Sequence, residues 1–378
     1  MDFELTPEQI DIQRAAKEFA EKEIKPICDE YYKKERKYPF DTIKKAAKEG
    51  YIAAFIPEEY GGAGVGIFAD NLIKEEVTKV DPGFSFALIT HIGVEAILQH
   101  GTDEQKERYL PAVARGEEIW SYALTEPQGG SDVGGIMTSA REEGDYYVLN
   151  GTKTFITNAP IADHVVVIAR TSPERYKGLS QIIVDAKDKG VAVNRLDILP
   201  GYTLNGTGEI GFNDVTVPKE NLLGELNKGF YHAMDWLDWS RTWVGSWCLG
   251  IAEGAFNLAY NYANQRELFG EKIFNFQSLS YQLASLAAKI EAVKLLMYKA
   301  SMMADRGIPN PKIRSMGKML AAELAEEVAS FAFTIYGGYA ATTDYPVYRF
   351  WHAAKICQIT EGTPQIHREL IGKRLSTF

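Results

Sequence analysis

The chain has 378 residues, of which 46% are hydrophobic and 24% are charged, and its formal net charge is −10. This length predicts two or three packed domains, and the balanced composition excludes disordered and collagen-like classes. The acidic charge, without a long basic run, argues against a general nucleic-acid or anionic-membrane surface.

The three cysteines, Cys28, Cys248 and Cys357, are far apart and have no metal-binding spacing. They are interpreted as buried free thiols in a reducing compartment, and the scattered histidines also predict no structural metal. The N-terminus lacks the pattern of a signal or transit segment, and no apolar run approaches the roughly 18 residues that span a bilayer. We therefore expect a soluble cytoplasmic protein without a membrane span.

Residues 1–117 are predicted to form an N-terminal α-helical domain. Thr6 and Pro7 have the character of an N-cap and a first helical residue, and apolar residues recur after them at helical spacing. A second helix is expected to end at Gly50, before the glycine-rich loop "EEYGGAGVGI". The next predicted helices span 68–79, 84–100 and 103–115.

Residues 118–228 are predicted to form a middle β domain that resembles a barrel or a sandwich. The segment "YYVLNGTKTFIT" places apolar and β-branched runs around Asn150-Gly151, which is the strongest short hairpin signal. Three further strands are predicted from "HVVVIAR", "LSQIIVDA" and "GEIGFNDVTVP".

Residues 229–378 are predicted to form a C-terminal four-helix bundle, because long segments there carry a broad apolar face. The predicted segments span 231–265, 276–305, 311–336 and 363–375. The predicted class is therefore α+β, with elements in the order α, then β, then α.

Two glycine-rich stretches have the composition of nucleotide-binding loops without their spacing. Residues 59–66 lack G-x-G-x-x-G, and residues 126–135 lack the Lys-Ser/Thr of a Walker motif. A flexible turn explains the first stretch. The second joins two predicted strands and gathers Thr125, Ser131 and backbone N–H groups, so it is also compatible with a pyrophosphate contact.

Four tryptophans, Trp236, Trp239, Trp243 and Trp247, lie along one face of the first C-terminal helix. Core packing is the usual role of such a stripe, and an aromatic pocket wall is the alternative.

Asp238 and Arg241 are one helical turn apart beside this stripe. They form either a surface ion pair or a partly buried pair that faces a polar ligand. Arg266, in "NQRELFG", is interpreted on its own as part of a helix C-terminus.

Six segments, in this order, resemble the acyl-CoA dehydrogenase family of flavoproteins, and they extend over essentially the whole chain. The segments are "YALTEPQGGSDVGGIMTSA", "NGTKTFITNA", "FNDVTVPKENLLG", "NQRELFG", "IYGGYA" and "KICQITEGTPQIHREL". The family fold has an α-helical domain, a β-barrel-like middle and a C-terminal four-helix bundle, which agrees with the order predicted from the residues.

The resemblance implies an FAD site. The residues implied to contact FAD are Tyr122, Leu124, Thr125, Gly130, Ser131, Phe155, Ile156, Thr157, Arg266, Phe269, Gln277, Ile335, Gly337, Gly338, Thr363 and Gln365. Phe155 replaces the family's tryptophan beside the isoalloxazine. Arg266, Phe269 and Gln277 would reach the FAD of a neighbouring subunit. The resemblance also implies a homotetramer, since most members of the family are homotetramers.

The resemblance places the catalytic base at Glu361. Loss of a thioester α-proton leaves an enolate, which the Glu361 backbone N–H and a flavin ribityl hydroxyl would stabilise. An apolar pocket would raise the pKa of Glu361 and make it a better-matched base, while the β-hydrogen leaves as hydride to flavin N5. For the substrate, the resemblance implies contacts from Ser131, Asp238, Arg241 and Gly362, whose missing side chain would let the thioester approach.

Single positions argue against two subfamilies. Some members carry the base on the helix at the position of Ser240, and serine cannot act as that base. Glutaryl-CoA members have an arginine where this chain has Ser85, so a dicarboxylic substrate is disfavoured. The segment 199–210, "LPGYTLNGTGEI", departs from the family pattern. Together with the tryptophan stripe, it leads us to expect a compact branched, cyclic or aromatic-bearing acyl group.

The first hypothesis is an FAD-dependent acyl-CoA dehydrogenase of β-oxidation or related acyl-CoA metabolism that passes electrons to electron-transfer flavoprotein. An acyl-CoA oxidase that reduces oxygen is one alternative, although most such oxidases are much longer. A non-catalytic flavin-binding or CoA-binding protein is the other alternative.

Overall fold

A computed structural model describes residues 4–34 and 38–377. The N-terminal helices are α1 Pro7–Phe19, α2 Cys28–Lys34, α3 Phe40–Lys48, α4 Gly66–Val80, α5 Pro82–Ala87, α6 Val94–His100 and α7 Asp103–Ala114. Thr6 begins α1 as predicted, because its side chain accepts from the Gln9 backbone while the Gln9 side chain accepts from the Thr6 backbone.

The single helix predicted over 84–100 is wrong. Two short helices, α5 and α6, occupy this region, and Gly93 precedes α6 with a φ of +100°. Asp81 begins α5 by accepting a hydrogen bond from the Phe84 backbone N–H at 3.0 Å. The apolar pattern continues through the break because the residues on both sides of it are buried.

The middle region forms one mixed sheet. Its strands are β1 Trp120–Ala123, β2 Ser139–Glu143, β3 Tyr146–Ile156, β4 His164–Arg170, β5 Leu179–Asp185, β6 Val191–Arg195, β7 Gly208–Pro218 and β8 Leu222–Leu223. The order across the sheet is β6-β7-β3-β2-β4-β5-β8, and β1 pairs in parallel with β4. The three strands predicted from "HVVVIAR", "LSQIIVDA" and "GEIGFNDVTVP" are confirmed as β4, β5 and β7.

The hairpin predicted at Asn150-Gly151 is wrong, because both residues lie inside the continuous strand β3. The turn between β2 and β3 is at Gly144 instead, with a φ of +56°. Gly151 lies at a shift in register between β3 and β7. A Cβ at Gly151 would come within 2.5 Å of Thr138 Oγ1, so close packing explains this glycine.

The C-terminal region is helical, as predicted. Its helices are α8 Gly229–Gln265, α9 Gln277–Asp305, α10 Pro311–Tyr336, α11 Val347–Cys357 and α12 Pro364–Gly372, and a small hairpin of β9 Glu267–Leu268 and β10 Glu271–Lys272 follows α8. Helix α8 packs against α4, α9, α10 and α11, and α12 packs against α10. The sequence analysis did not predict α11.

The three cysteines are free and buried, as the sequence indicates. In the two described ranges, no helix is long and apolar enough to cross a membrane. The same ranges hold no group of three or more His, Cys, Asp or Glu side chains placed to bind a metal ion.

Candidate active site

Glu361 lies in the short connection between α11 and α12, residues 358–363, which we call the base loop. Helix α11 ends at Cys357, and Thr363 begins α12 with Pro364 as its first residue. Glu361 has a φ of +54° and Gly362 a φ of +100°. A non-glycine residue in this conformation costs about 1–3 kcal/mol, so the surrounding contacts must hold Glu361 there.

The carboxylate of Glu361 contacts α8. Ser240, a buried residue, donates from Oγ to Glu361 Oε2 at 2.9 Å. Burial raises the pKa of Glu361, whereas the Ser240 hydrogen bond and the charges of Lys318 and Arg241 lower it, and the net direction is upward. The surroundings are therefore more polar than the predicted apolar pocket, but the predicted direction of the pKa is the same.

Asp238 and Arg241 belong to a largely buried ionic cluster, which excludes the surface-pair alternative. Arg241 Nη1 donates to Asp238 Oδ1 at 3.1 Å, and Arg314 Nη1 of α10 donates to Asp238 Oδ2 at 2.5 Å. Both arginines are buried, and the Nε atom of each lacks a hydrogen-bond partner. Two guanidinium groups on one carboxylate leave a net positive charge, which fits a polar or anionic ligand.

Strand β1 approaches the same carboxylate. The Tyr122 ring stacks on Trp236 with centroids 3.9 Å apart, and its hydroxyl accepts from Gln181 Nε2 at 2.8 Å. Burial raises the pKa of Tyr122, and the charge of Glu361 raises it further. The structure thus brings together β1, α8 and the base loop, which the sequence places far apart.

A buried ion pair that the sequence analysis missed closes the loop between β1 and β2, residues 124–138. Lys153 Nζ donates to Glu126 Oε1 at 2.9 Å and to the Leu124 carbonyl at 3.0 Å. Glu126 also accepts from the backbone N–H groups of Met137, at 2.7 Å, and Thr138, at 2.8 Å. The available signal was Lys153, which is the only charged residue of "NGTKTFITNA", together with Glu126 in the preceding motif.

This closed loop presents the predicted cofactor residues on its outer side. Ser131 is exposed, Thr125 and Gly130 are half-buried, and Leu124 is partly buried. A Cβ at Gly129 would meet nothing within 4 Å, so the space beside the loop is open. Exposed backbone and hydroxyl groups of this kind fit a pyrophosphate.

The end of β3 offers a flat aromatic surface. Phe155 has a φ of +58° and is 65% exposed, whereas Ile156 is buried. Thr157 is half-buried, and its carbonyl accepts from Ser121 Oγ at 2.7 Å. A large exposed aromatic ring in a left-handed conformation is costly unless it contacts something, so these residues fit a planar ring system such as an isoalloxazine.

The remaining predicted FAD residues lie on other elements. A groove of about 540 Å³ is lined by Arg266, Ile335, Gly337, Gly338 and three tyrosines. Arg266 ends α8, as predicted, and Phe269, 94% exposed, forms the β9–β10 turn. The set also includes Gln277, which is exposed at the start of α9, Thr363, which caps α12, and Gln365, which is exposed.

Core packing is confirmed for most of the tryptophan stripe. Trp236, Trp243 and Trp247 are buried, and Trp239 is half-buried against Phe55. The unusual segment 199–210 contributes to this aromatic region in turn. Tyr202 packs on Phe86 with centroids 4.0 Å apart and on Trp247 with centroids 5.6 Å apart.

Tyr202 also connects the aromatic region to the site. Burial raises the pKa of Tyr202, and its neighbours Cys357 and Glu361 act in the same direction, while a hydrogen bond with Thr157 lowers it. One phenol therefore lies close to a predicted flavin contact and to the predicted base. The sequence signal for it was the departure from the family pattern at 199–210.

The fold and the site define an α–β–α protein in which a carboxylate of raised pKa lies beside a buried serine and a cationic cluster, and an exposed aromatic ring stands at the end of β3. Comparison with known proteins gives the family. The acyl-CoA dehydrogenase N-terminal, middle and C-terminal domain models match residues 6–117, 121–215 and 227–376. The chain therefore belongs to the acyl-CoA dehydrogenase family of flavoprotein oxidoreductases, as its motifs indicated.

Individual relatives resemble the chain along its whole length. It is 39% identical to a short-chain-specific acyl-CoA dehydrogenase of Clostridium acetobutylicum, over 99% of this chain and 100% of the relative. It is 41% identical to a 3-(aryl)acrylate reductase of Clostridium sporogenes, over 96% of this chain and 97% of the relative. A chain solved in a study of the electron transferring flavoprotein of Acidaminococcus fermentans has a TM-score of 0.96 and 40% identity, over 99% of both chains.

Proposed function

We propose that this protein uses FAD to oxidise an acyl-CoA thioester to the α,β-enoyl-CoA. The observation that carries the proposal is the carboxylate of Glu361, held in a left-handed loop conformation with a raised pKa beside Ser240. A thioester α-proton is weakly acidic, so its removal needs a base whose pKa has been brought closer to the working pH.

The chain's own residues divide the work. Glu361 takes the α-proton, and because Ser240 occupies Oε2, we assign this step to Oε1. The backbone N–H of Glu361 stabilises the developing enolate oxygen. When bound, FAD supplies the acceptor for the β-hydrogen, which leaves as hydride.

Binding is assigned to the surrounding elements. The 124–138 loop and residues 155–157 hold FAD, while Ser131, Asp238, Arg241 and Gly362 line the path of the acyl-CoA. The groove at Arg266 and Gly337 reaches the FAD of a neighbouring copy in a homotetramer. We also propose domain limits of 1–117, 118–228 and 229–378, which the ranges of the three matching family models support.

We propose a compact acyl group, cyclic, branched or aromatic-bearing, and an electron-transfer flavoprotein as acceptor. The Phe86–Tyr202–Trp247 cluster supports the first point, as does the similarity to a short-chain-specific acyl-CoA dehydrogenase and to a 3-(aryl)acrylate reductase. The structural relative from a study of electron transferring flavoprotein supports the second point.

The proposal is tested by anaerobic loss of the flavin's visible absorbance with a panel of acyl-CoAs. We expect butyryl-, cyclohexanecarboxyl- or 3-phenylpropionyl-CoA to bleach the flavin fastest. Octanoyl-CoA reacting far faster than these would reject the compact pocket. Stoichiometric peroxide under air would favour an oxidase instead.

A second candidate is the same site working in reverse, as an enoyl-CoA reductase. Its support is the 41% identity to a 3-(aryl)acrylate reductase and the raised pKa of Glu361, which lets the protonated carboxyl donate to the α-carbon. With reduced electron-transfer flavoprotein as donor, reduction of 3-phenylacryloyl-CoA that outpaces the oxidation of 3-phenylpropionyl-CoA would favour this direction.

A further inference from the structure

Lys318 of α10 is fully enclosed behind the base loop. Its side chain has no exposed surface, and Nζ donates to the Cys357 carbonyl at 2.9 Å and to the Gly362 carbonyl at 2.7 Å. Cys357 is the last residue of α11, whose terminal carbonyls have no partner within their own helix. One ammonium group therefore fixes the chain on both sides of Glu361.

Burying the Lys318 ammonium group has a free-energy cost, and its hydrogen-bond partners differ from those of the other enclosed lysine, Lys153. Enclosing an ammonium group costs several kcal/mol unless its partners compensate. Burial lowers the pKa of Lys318, and Cys248, Cys357 and Glu361 act in the opposite direction. Lys153, equally enclosed, bonds directly to a carboxylate, whereas both acceptors of Lys318 are neutral carbonyl oxygens.

We propose that Lys318 is a positioning residue for the base, because its ammonium group holds the loop in its left-handed conformation and places a positive charge behind Glu361. The inference rests on the proposed function, in which Glu361 removes the α-proton. It adds a residue on α10 that acts on the reaction only through the carboxylate.

No other group named around Glu361 combines a positive charge with hydrogen bonds to the base loop. Burial lowers the pKa of His367, on α12, to about 3, so this ring is neutral at working pH. Arg241, on α8, is the other cation that lowers the pKa of Glu361, but it donates to Asp238. The remaining neighbours have side chains that cannot carry a positive charge: Glu95 on α6, Tyr122 on β1, Tyr202 before β7, Cys248 on α8 and Cys357 on α11.

The test is the pH dependence of substrate-driven flavin reduction in Lys318→Met. Without the ammonium charge, Glu361 holds its proton to higher pH. We expect the rising limb of the rate to move up by roughly one pH unit, or about tenfold in rate at a pH on that limb. The infrared carbonyl-stretch band of protonated Glu361 can be identified by its loss in Glu361→Gln. The pH at which this band disappears should rise by the same amount.

Two further variants separate this role from simple support of the fold. Lys318→Gln keeps a hydrogen-bond donor for the two carbonyls but lacks the positive charge. If Lys318→Met does not fold, the rising limb of the rate should move up in Lys318→Gln instead. Lys79→Met removes a mostly buried lysine that faces Glu75, Glu76 and Glu253. It should lower stability and leave the pH profile in place.

A wild-type pH profile in a folded Lys318 variant that binds FAD and acyl-CoA would overturn the inference. Failure of the proposed function gives a different result, because wild-type flavin would then not be reduced by any acyl-CoA of the panel.

Discussion

Two glutamates in loops show how surroundings decide the task of a carboxylate. Glu126 accepts two backbone N–H groups and the Lys153 ammonium; although burial alone would raise its pKa, these partners lower it to about 2. Glu361 has one hydroxyl donor and cations that do not contact it, and burial keeps its pKa raised. Full hydrogen bonding makes Glu126 a structural anion, and incomplete hydrogen bonding leaves Glu361 able to exchange a proton.

The lysines near these two glutamates, Lys153 and Lys318, differ in the same way as the glutamates do. Lys153 contacts its carboxylate directly, so the pair closes the 124–138 loop. Lys318 bonds to carbonyl oxygens around Glu361 and acts on the carboxylate from a distance. A direct ion pair at Glu361 would hold the carboxylate ionised and make it a weaker base.

The largest effect is expected from breaking the Glu126 pair. In Lys153→Met, a buried carboxylate loses its cation, which should lower the free energy of unfolding by about 3–5 kcal/mol. Denaturant titration of the holoprotein measures this loss. The double variant Glu126→Gln, Lys153→Met should be less destabilised than the sum of the two single variants, and strict additivity would show that the pair is not coupled.

A smaller effect is expected from titrating Glu126. Since its pKa in the folded protein is lowered to about 2, its stabilising contribution is present above the unfolded value of about 4.3 and is lost as the pH falls towards 2. Thermal unfolding of wild type and Glu126→Gln should therefore differ most above pH ~5 and converge below it. A difference in thermal unfolding between the two proteins that stays constant across this pH range would contradict the lowered pKa of Glu126.

The smallest effect is expected at Ser240. Ser240→Ala removes a donor from the ionised form of Glu361, so the pKa of Glu361 should rise further. The rising limb of flavin reduction should move up by roughly one pH unit. Ser246→Ala changes another buried serine of α8 and serves as the control, whose profile should match wild type.

Local sequence signals predicted the elements they control. Thr6 with Pro7 predicted the start of α1, and the apolar faces predicted α8, α9 and α10 nearly to their ends. Asn150-Gly151 failed because the contact with Thr138, rather than the local turn preference, determines that glycine. The break between α5 and α6 was hidden by continuous burial on both sides.

In the candidate site, too, some features could be predicted from the sequence and others could not. The family motifs located Glu361 and the loops around it, because these residues are contiguous in sequence. The contacts that determine how the site works join distant positions: Ser240 with Glu361, Lys318 with Gly362, and Glu126 with Lys153. Such pairings depend on how helices and strands pack, and one sequence contains no local signal for that.

The most direct test of the central claim isolates proton removal from the rest of the reaction. The holoenzyme is incubated in D₂O with 3,3-dimethylbutanoyl-CoA, which has α-hydrogens but no β-hydrogen, and deuterium at the α-carbon is followed by mass spectrometry. Wild type should incorporate deuterium, and Glu361→Gln, with unchanged FAD content, should do so about 10²–10⁴-fold more slowly. Exchange by Glu361→Gln at the wild-type rate would contradict the assignment of Glu361 as the base.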